Sequence, residues 1–151
     1  MADRSIRPFR PEDGEELDLQ LWQCGELGLK DWERIACAGT AFTGRRDGIP
    51  IVSAGIVDYW HGRSGAWARL SSHVDRIDMI WMHRRILQFL TDLQVDPRYK
   101  RVETLVQLSF PEGHRWAKML SFSPEGVLQY YDQAGNDYVL YARIKRDRCK
   151  D

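Results

Sequence analysis

Between Ala66 and Phe110 the hydrophobic pattern changes period twice. "AWARLSS" (Ala66–Ser72) alternates, with Trp67 and Arg69 on one face and Ala66, Ala68 and Leu70 on the other. Met79, Met82, Ile86, Phe89, Leu90 and Leu93 then recur at helical spacing, and Ile77, Ile80, Trp81 and Leu87 widen the stripe. "RVETLVQLSF" (Arg101–Phe110) returns to alternation through Val102, Thr104, Val106 and Leu108. Strand, helix and strand in that order form a crossover, and a crossover joins parallel strands. The wide apolar face suits a helix laid on a sheet. Asp75 and Asp78, three residues apart, resemble a capping pair at its start.

The flanks add hairpins. "SIRPFR" (Ser5–Arg10) reads as a first strand. "PEDGEELDLQLWQCGEL" follows as a helix, with Pro11 in the first turn and Glu12, Asp13, Glu15 and Glu16 near the positive helix end. Leu17, Leu21 and Cys24 share a face there, and Gly25 and Gly28 end the pattern. "LKDWERIACAG" (Leu29–Gly39) reads as a second short helix. Thr40–Gly44 and Ile49–Trp60 are β-like runs joined by "RRDG", and "HGRSG" (His61–Gly65) is a turn before the strand at Ala66. After Phe110, "PEGHRWAKML" predicts a short helix with Trp116, Met119 and Leu120 inward. "EGVLQYY" and "DYVLYARIKR" flank the hairpin signal "DQAGN". The order is βααβββαβαββ. It predicts an α/β (α+β) fold: a mixed, mostly antiparallel sheet of about six to seven strands flanked by about four helices.

Composition narrows the function. The 151 residues suit a single domain, with a frayed tail from about 147. A chain this size buries roughly 70% of its unfolded surface and needs no covalent staples. Lys+Arg and Asp+Glu both number 22, so there is no basic excess of the kind that marks a dedicated nucleic-acid binder. Cys24, Cys37 and Cys149 form no CxxC pair, and the odd count with no signal peptide predicts a reducing, cytoplasmic setting. No apolar run approaches the ~20 residues of a membrane helix. His61 and His83 lack metal-ligand partners at metal spacing, and no GxSxG, Walker loop or HExxH occurs, so no metal is expected. Arg45, Arg46 and Arg63 sit on turns, where solvation is their ordinary role.

The element order resembles that of the GNAT N-acetyltransferases. "SIRPFRPEDGEEL" resembles the family's opening strand and acidic-started helix. "RWAKMLSFSPEG" resembles the segment where a short helix ends at a Gly-Phe pair, with Ser121-Phe122 in its place, and "YARI" resembles the closing strand. The chain also resembles small GNAT-like proteins encoded by podovirus-type phages.

That resemblance implies acetyl-CoA as cofactor and an amine as acceptor. The family's diagnostic motif is Arg/Gln-x-x-Gly-x-Gly/Ala at the strand-to-helix junction, whose backbone N–H groups cradle a pyrophosphate. Arg76 matches the leading Arg, but Ile77, Asp78, Met79, Ile80 and Trp81 follow where glycines belong. Large side chains block close approach there, Asp78 repels phosphate, and Asp75 as cap competes for the same donors. Arg76, Arg84 and Arg85 are left as compensating charged contacts. Pantetheine in this family pairs with the main chain of the strand carrying "WARLSS", so Leu70, Ser71 and Ser72 are the implied contacts. The family's general-acid Tyr would fall near Ala117, and no Tyr lies in Pro111–Leu120. His114 is the titratable group available there. Glu103, His73 and Asp75 are the candidate bases.

Two functions follow. One is an acetyl-CoA-dependent N-acetyltransferase acting on an amine or a host protein. The other is a catalytically degenerate protein of the same fold that binds a host or virion protein. Neither needs specific nucleic acid or a membrane, and both allow a monomer or a homodimer.

Overall fold

The computed structural model describes residues 2–17 and 32–146. Its strands are β1 (Arg4–Pro8), β2 (Ala41–Arg46), β3 (Ile49–Trp60), β4 (Arg63–Leu70), β5 (Arg101–Gln107), β6 (Ser123–Leu128) and β7 (Tyr138–Ile144). Its helices are α1 (Pro11–Glu16), α2 (Trp32–Cys37), α3 (Arg76–Leu93) and α4 (Pro111–Met119). The order is the one expected from the pattern. The strands form one seven-stranded sheet, β1-β2-β3-β4-β5-β7-β6. The crossover through α3 produces the parallel partners, β4 and β5, whose ladder is Arg63↔Arg101, Ser64↔Val102 and Gly65↔Glu103. The described residues group into two compact units. One comprises the chain up to Val57 with Ala66–Ile86, the other Asp58–Gly65 with the chain from Leu87.

In the first unit β1 pairs with β2, and β2 with β3, both antiparallel. Asp47 and Gly48 join β2 to β3 with positive φ at both residues, the geometry that an Asp-Gly hairpin turn favours. Ile51, Val52, Ile56, Trp67, Leu70 and Met82 are buried. Each such side chain contributes roughly 1.5–3 kcal/mol when fully withdrawn from water. A polar network sits beside them. Asp13 Oδ2 accepts from the Arg10 N–H (2.9 Å) and the Thr43 hydroxyl (2.8 Å), and Asp13 Oδ1 accepts from Arg45 (2.6 Å). The Thr43 hydroxyl also lies 3.0 Å from that of Ser53, its cross-strand partner. Asp13 thus starts α1 as the acidic run predicted, and it also ties that helix to β2. Leu17, which the sequence places on the first helix, is its extended C-cap, and the remainder of that predicted helix, including Leu21, Cys24, Gly25 and Gly28, falls outside the described residues with the start of the second.

In the second unit β5 and β6 flank β7, both antiparallel to it. Val102, Val106, Ala117, Leu120, Phe122, Tyr138, Val139, Tyr141 and Ala142 form its core. Gln94, buried, donates to the carbonyls of Tyr99 (3.0 Å) and Arg143 (2.9 Å), so the end of α3 is tied to β7 by one amide.

Four sequence expectations change. β4 begins at Arg63, not Ala66, because Gly62 at φ 99° completes the turn in two residues. β5 stops at Gln107, which leaves Leu108 exposed. Met119 is 62% exposed, because α4 packs inward through its small residues Gly113 and Ala117 together with Leu120. A Cβ on Gly113 would collide with Phe110 and Val106, so close packing requires glycine there. Ile77 and Ile80 are exposed while Asp78 is buried, so the start of α3 turns an acid inward.

Candidate functional site

The junction after β4 is continuous in sequence. Leu70 and Ser71 are buried, Ser72 and His73 are exposed, and Asp75 opens α3. The Ser71 N–H donates to the Ile51 carbonyl (2.8 Å), extending the strand pairing by one residue. The Ser71 hydroxyl accepts from the His73 N–H (3.1 Å), which turns the chain toward the helix. Arg76 and Arg84 are both exposed, two turns apart on α3.

The helix start is capped from within. Asp75 Oδ1 accepts from the Asp78 N–H (2.7 Å), and Asp78 Oδ2 accepts from the Asp75 N–H (3.1 Å), the reciprocal pair that the sequence predicts. The amides of Asp78 and, more weakly, Ile77 hold the Asp75 carboxyl below its ordinary range, with Arg46 and Arg4 adding to the effect. Asp78 has further partners. Its Oδ1 receives Arg4 Nε (2.9 Å) and its Oδ2 receives Arg46 Nη1. Arg4 and Arg46 face each other across β1 and β2, where two like charges repel. A fully buried Asp78 between them removes that penalty. The anion-binding end of this helix therefore already holds resident carboxylates.

Glu103 has a comparable position in the second unit. Arg63 and Arg101 are neighbours in the parallel ladder, and Glu103 lies two residues beyond Arg101. Arg63 reaches Glu103 with two contacts (2.6 and 2.9 Å), and Arg101 adds a third (2.7 Å). Arg101 also bonds Glu125 on β6. Arg63, followed by Arg101, holds the Glu103 carboxyl below its ordinary range despite partial burial. Such a carboxylate is a weak proton acceptor, and its geometry is that of an ion-pair hub. Tyr59 and Trp60 cover the Arg63 guanidinium at 4.8 and 4.5 Å.

His114, also in the second unit, meets a residue that sequence reasoning missed. Its Nδ1 lies 2.8 Å from the Tyr141 hydroxyl of β7, and its Nε2 lies 3.0 Å from the Leu108 carbonyl. The tyrosine position that the resemblance implies is near Ala117 on α4, whereas Tyr141 lies on β7. The apolar run Tyr138–Ala142 within "DYVLYARI" carries no signal that Tyr141 and His114 meet. Thus Leu70, Ser71, Ser72, His73 and Arg76 share one segment with Arg84 on the helix behind it, while Glu103 and His114 each stand among separate partners. Among the described residues no group of His, Cys, Asp and Glu suits a metal ion, and no helix is long and apolar enough to cross a membrane.

No protein-family model matches the chain, and no curated protein matches it in sequence. Solved structures do match. The ribosomal-protein-S18-alanine N-acetyltransferase from Escherichia coli superposes with a TM-score of 0.73 at 11% identity, covering 99% of both chains. The acetyltransferase of GNAT family from Streptococcus pneumoniae gives 0.71 at 12% identity, covering 95% of this chain and all of the other. yncA from Salmonella typhimurium, solved with its cofactor acetyl-CoA, gives 0.70 at 9% identity, covering 98% of each. At such identities the likeness establishes architecture: over nearly its whole length, this chain has the fold of the GNAT acetyltransferases.

Proposed function

We propose that the chain is an acetyl-CoA-dependent N-acetyltransferase that acts on an amine, with its whole length working as one domain. The observation that carries this reading is a parallel β4–β5 ladder of three pairs, set by the α3 crossover in a mostly antiparallel sheet. The same architecture in yncA accompanies bound acetyl-CoA.

In this reading the main chain at Leu70, Ser71 and Ser72 pairs with the pantetheine arm. Asp75 and Asp78 occupy helix amides, so the fit to a pyrophosphate is partial. Arg76 and Arg84, both exposed, supply the charge that those amides do not. His73 takes the proton from the attacking ammonium, a role Glu103 is ill suited to while two arginines hold it ionised. The amine nitrogen bonds the thioester carbonyl carbon, the carbon–sulfur bond breaks, the second amine proton passes to solvent, and the sulfur leaves as a thiolate that accepts a hydrogen bond from His114. Orientation of the two substrates supplies much of the rate.

Calorimetric titration with acetyl-CoA and with coenzyme A tests the reading. Micromolar binding that weakens in Arg76→Ala is expected, followed by acetylation in an amine screen. No heat and no thermal shift at millimolar cofactor would overturn it. The internally capped start of α3 favours the second reading, a GNAT-fold protein that binds a host or virion protein without catalysis. That reading predicts the negative titration together with retention of a protein partner.

A further inference from the structure

We propose that Tyr141 is a positioning residue for His114, holding the imidazole in the tautomer with its proton on Nε2 and presenting that N–H as a hydrogen-bond donor. The inference rests on the acyl-transfer reading and names a residue that serves the same step. The hydrogen bonds set the direction. The Leu108 carbonyl oxygen only accepts, so the contact at 3.0 Å requires the proton on Nε2. A neutral imidazole then carries its lone pair on Nδ1, and the Tyr141 hydroxyl at 2.8 Å donates to it.

The hydroxyl is well fixed. Tyr141 is 2% exposed, so water does not compete for it. Its backbone pairs with Thr104 of β5 on one side and Pro124 of β6 on the other. Burial pushes its ionisation upward, which keeps it a neutral donor. The His114 backbone is fixed as well, because Gly113 seats α4 against Phe110 and Val106. Both ring nitrogens are engaged, and the Nε2 contact is the exposed one. A ring held at Nδ1 by a buried phenol keeps Nε2–H in one orientation; that N–H meets the Leu108 carbonyl here, and it serves a leaving sulfur by exchanging this carbonyl for the sulfur as acceptor. The hydrogen-bond donor missing from α4 is thereby divided between two elements: an imidazole on the helix and the hydroxyl that orients it on β7.

Nitrogen NMR of the imidazole in the wild-type chain reads the tautomer without any activity. Nε2 is expected in the protonated range and Nδ1 in the bare, hydrogen-bonded range, and the reverse assignment overturns the proposal. Tyr141→Phe, checked for folding by thermal melting, is expected to mix the tautomers. It should also lower kcat about tenfold, the size of one lost hydrogen bond, with KM for acetyl-CoA unchanged. In a His114→Gln background the same substitution should cost nothing more, because Tyr141 acts through His114. An unchanged kcat in Tyr141→Phe, or an equal loss in both backgrounds, overturns the positioning role while leaving acyl transfer intact. If the wild-type chain transfers no acetyl group, the acyl-transfer reading and the catalytic half of this proposal fall together. The spectrum then still decides the tautomer. If Tyr141→Phe does not fold, the wild-type spectrum and His114→Gln decide the matter.

Discussion

The two units solve one electrostatic problem in two ways. Each sets a pair of arginines side by side on adjacent strands, Arg4 with Arg46 in one and Arg63 with Arg101 in the other. Each places a single carboxylate between them. In the first the acid is Asp78, which comes from α3, is fully buried and also caps the helix. In the second it is Glu103, which comes from the strand itself and shares its arginines with Glu125, Tyr59 and Trp60. Position determines what each acid does besides neutralising charge. A carboxylate at a helix start uses donors that would otherwise meet an external anion. A carboxylate on a strand leaves the helix termini alone and is weakened only as a base.

The sharpest way to break the comparison is Asp78→Ala. Two guanidiniums lose the buried carboxylate they share, Arg46 keeping only the exposed Asp75 at 3.2 Å, and the Asp75 N–H loses its acceptor, so a loss of about 3–5 kcal/mol in unfolding free energy is expected by denaturant titration. A cost below that of the Glu103 variant would show that the two centres are not ranked by burial. Glu103→Gln is expected to cost ~2 kcal/mol, because it weakens charge-assisted bonds to two half-buried arginines. A fall in kcat with stability intact would instead make Glu103 a catalytic base.

The acid limb of the stability curve adds a second reading. The Glu103 carboxyl lies below its ordinary value in the folded chain. Its contribution is therefore present above the unfolded-state carboxylate range of about 4 and is lost as pH falls through the lowered folded value. Melting temperature should decline across that acid window, and the decline should flatten in Glu103→Gln.

Asp75→Ala is expected to have a smaller effect on stability. It removes the cap, returns the Asp78 amide to the helix end and so raises affinity for coenzyme A, as calorimetry would show. Unchanged affinity would mean that resident acids do not compete with phosphate there. Smallest of all is Trp60→Ala, at about 0.5–1 kcal/mol, since the ring covers Arg63 from an exposed position.

Much of this was legible in the chain. Period changes between Ala66 and Phe110 required the crossover, and Asp-Gly at 47–48 required the hairpin. The spacing of Asp75 and Asp78 required the reciprocal cap. The charge partners were not legible. Arg4 and Asp78 are 74 positions apart, and they meet because strand register brings Arg4 opposite Arg46 and α3 turns its third residue inward. Local periodicity also misjudged α4. Met119 is apolar and lies outside, because close approach through Gly113 and Ala117 decides which face packs.

The sequence by itself determined the element order, the parallel pair and the absence of glycines from the β4–α3 junction. Those depend on residue size, backbone freedom and periodicity, which act within a few positions. Tertiary structure alone decided that Asp78 is a counter-ion, that Glu103 is held by two arginines and that Tyr141 meets His114. Charge and hydrogen-bond direction depend on distance in space, and only the folded sheet brings those groups within reach.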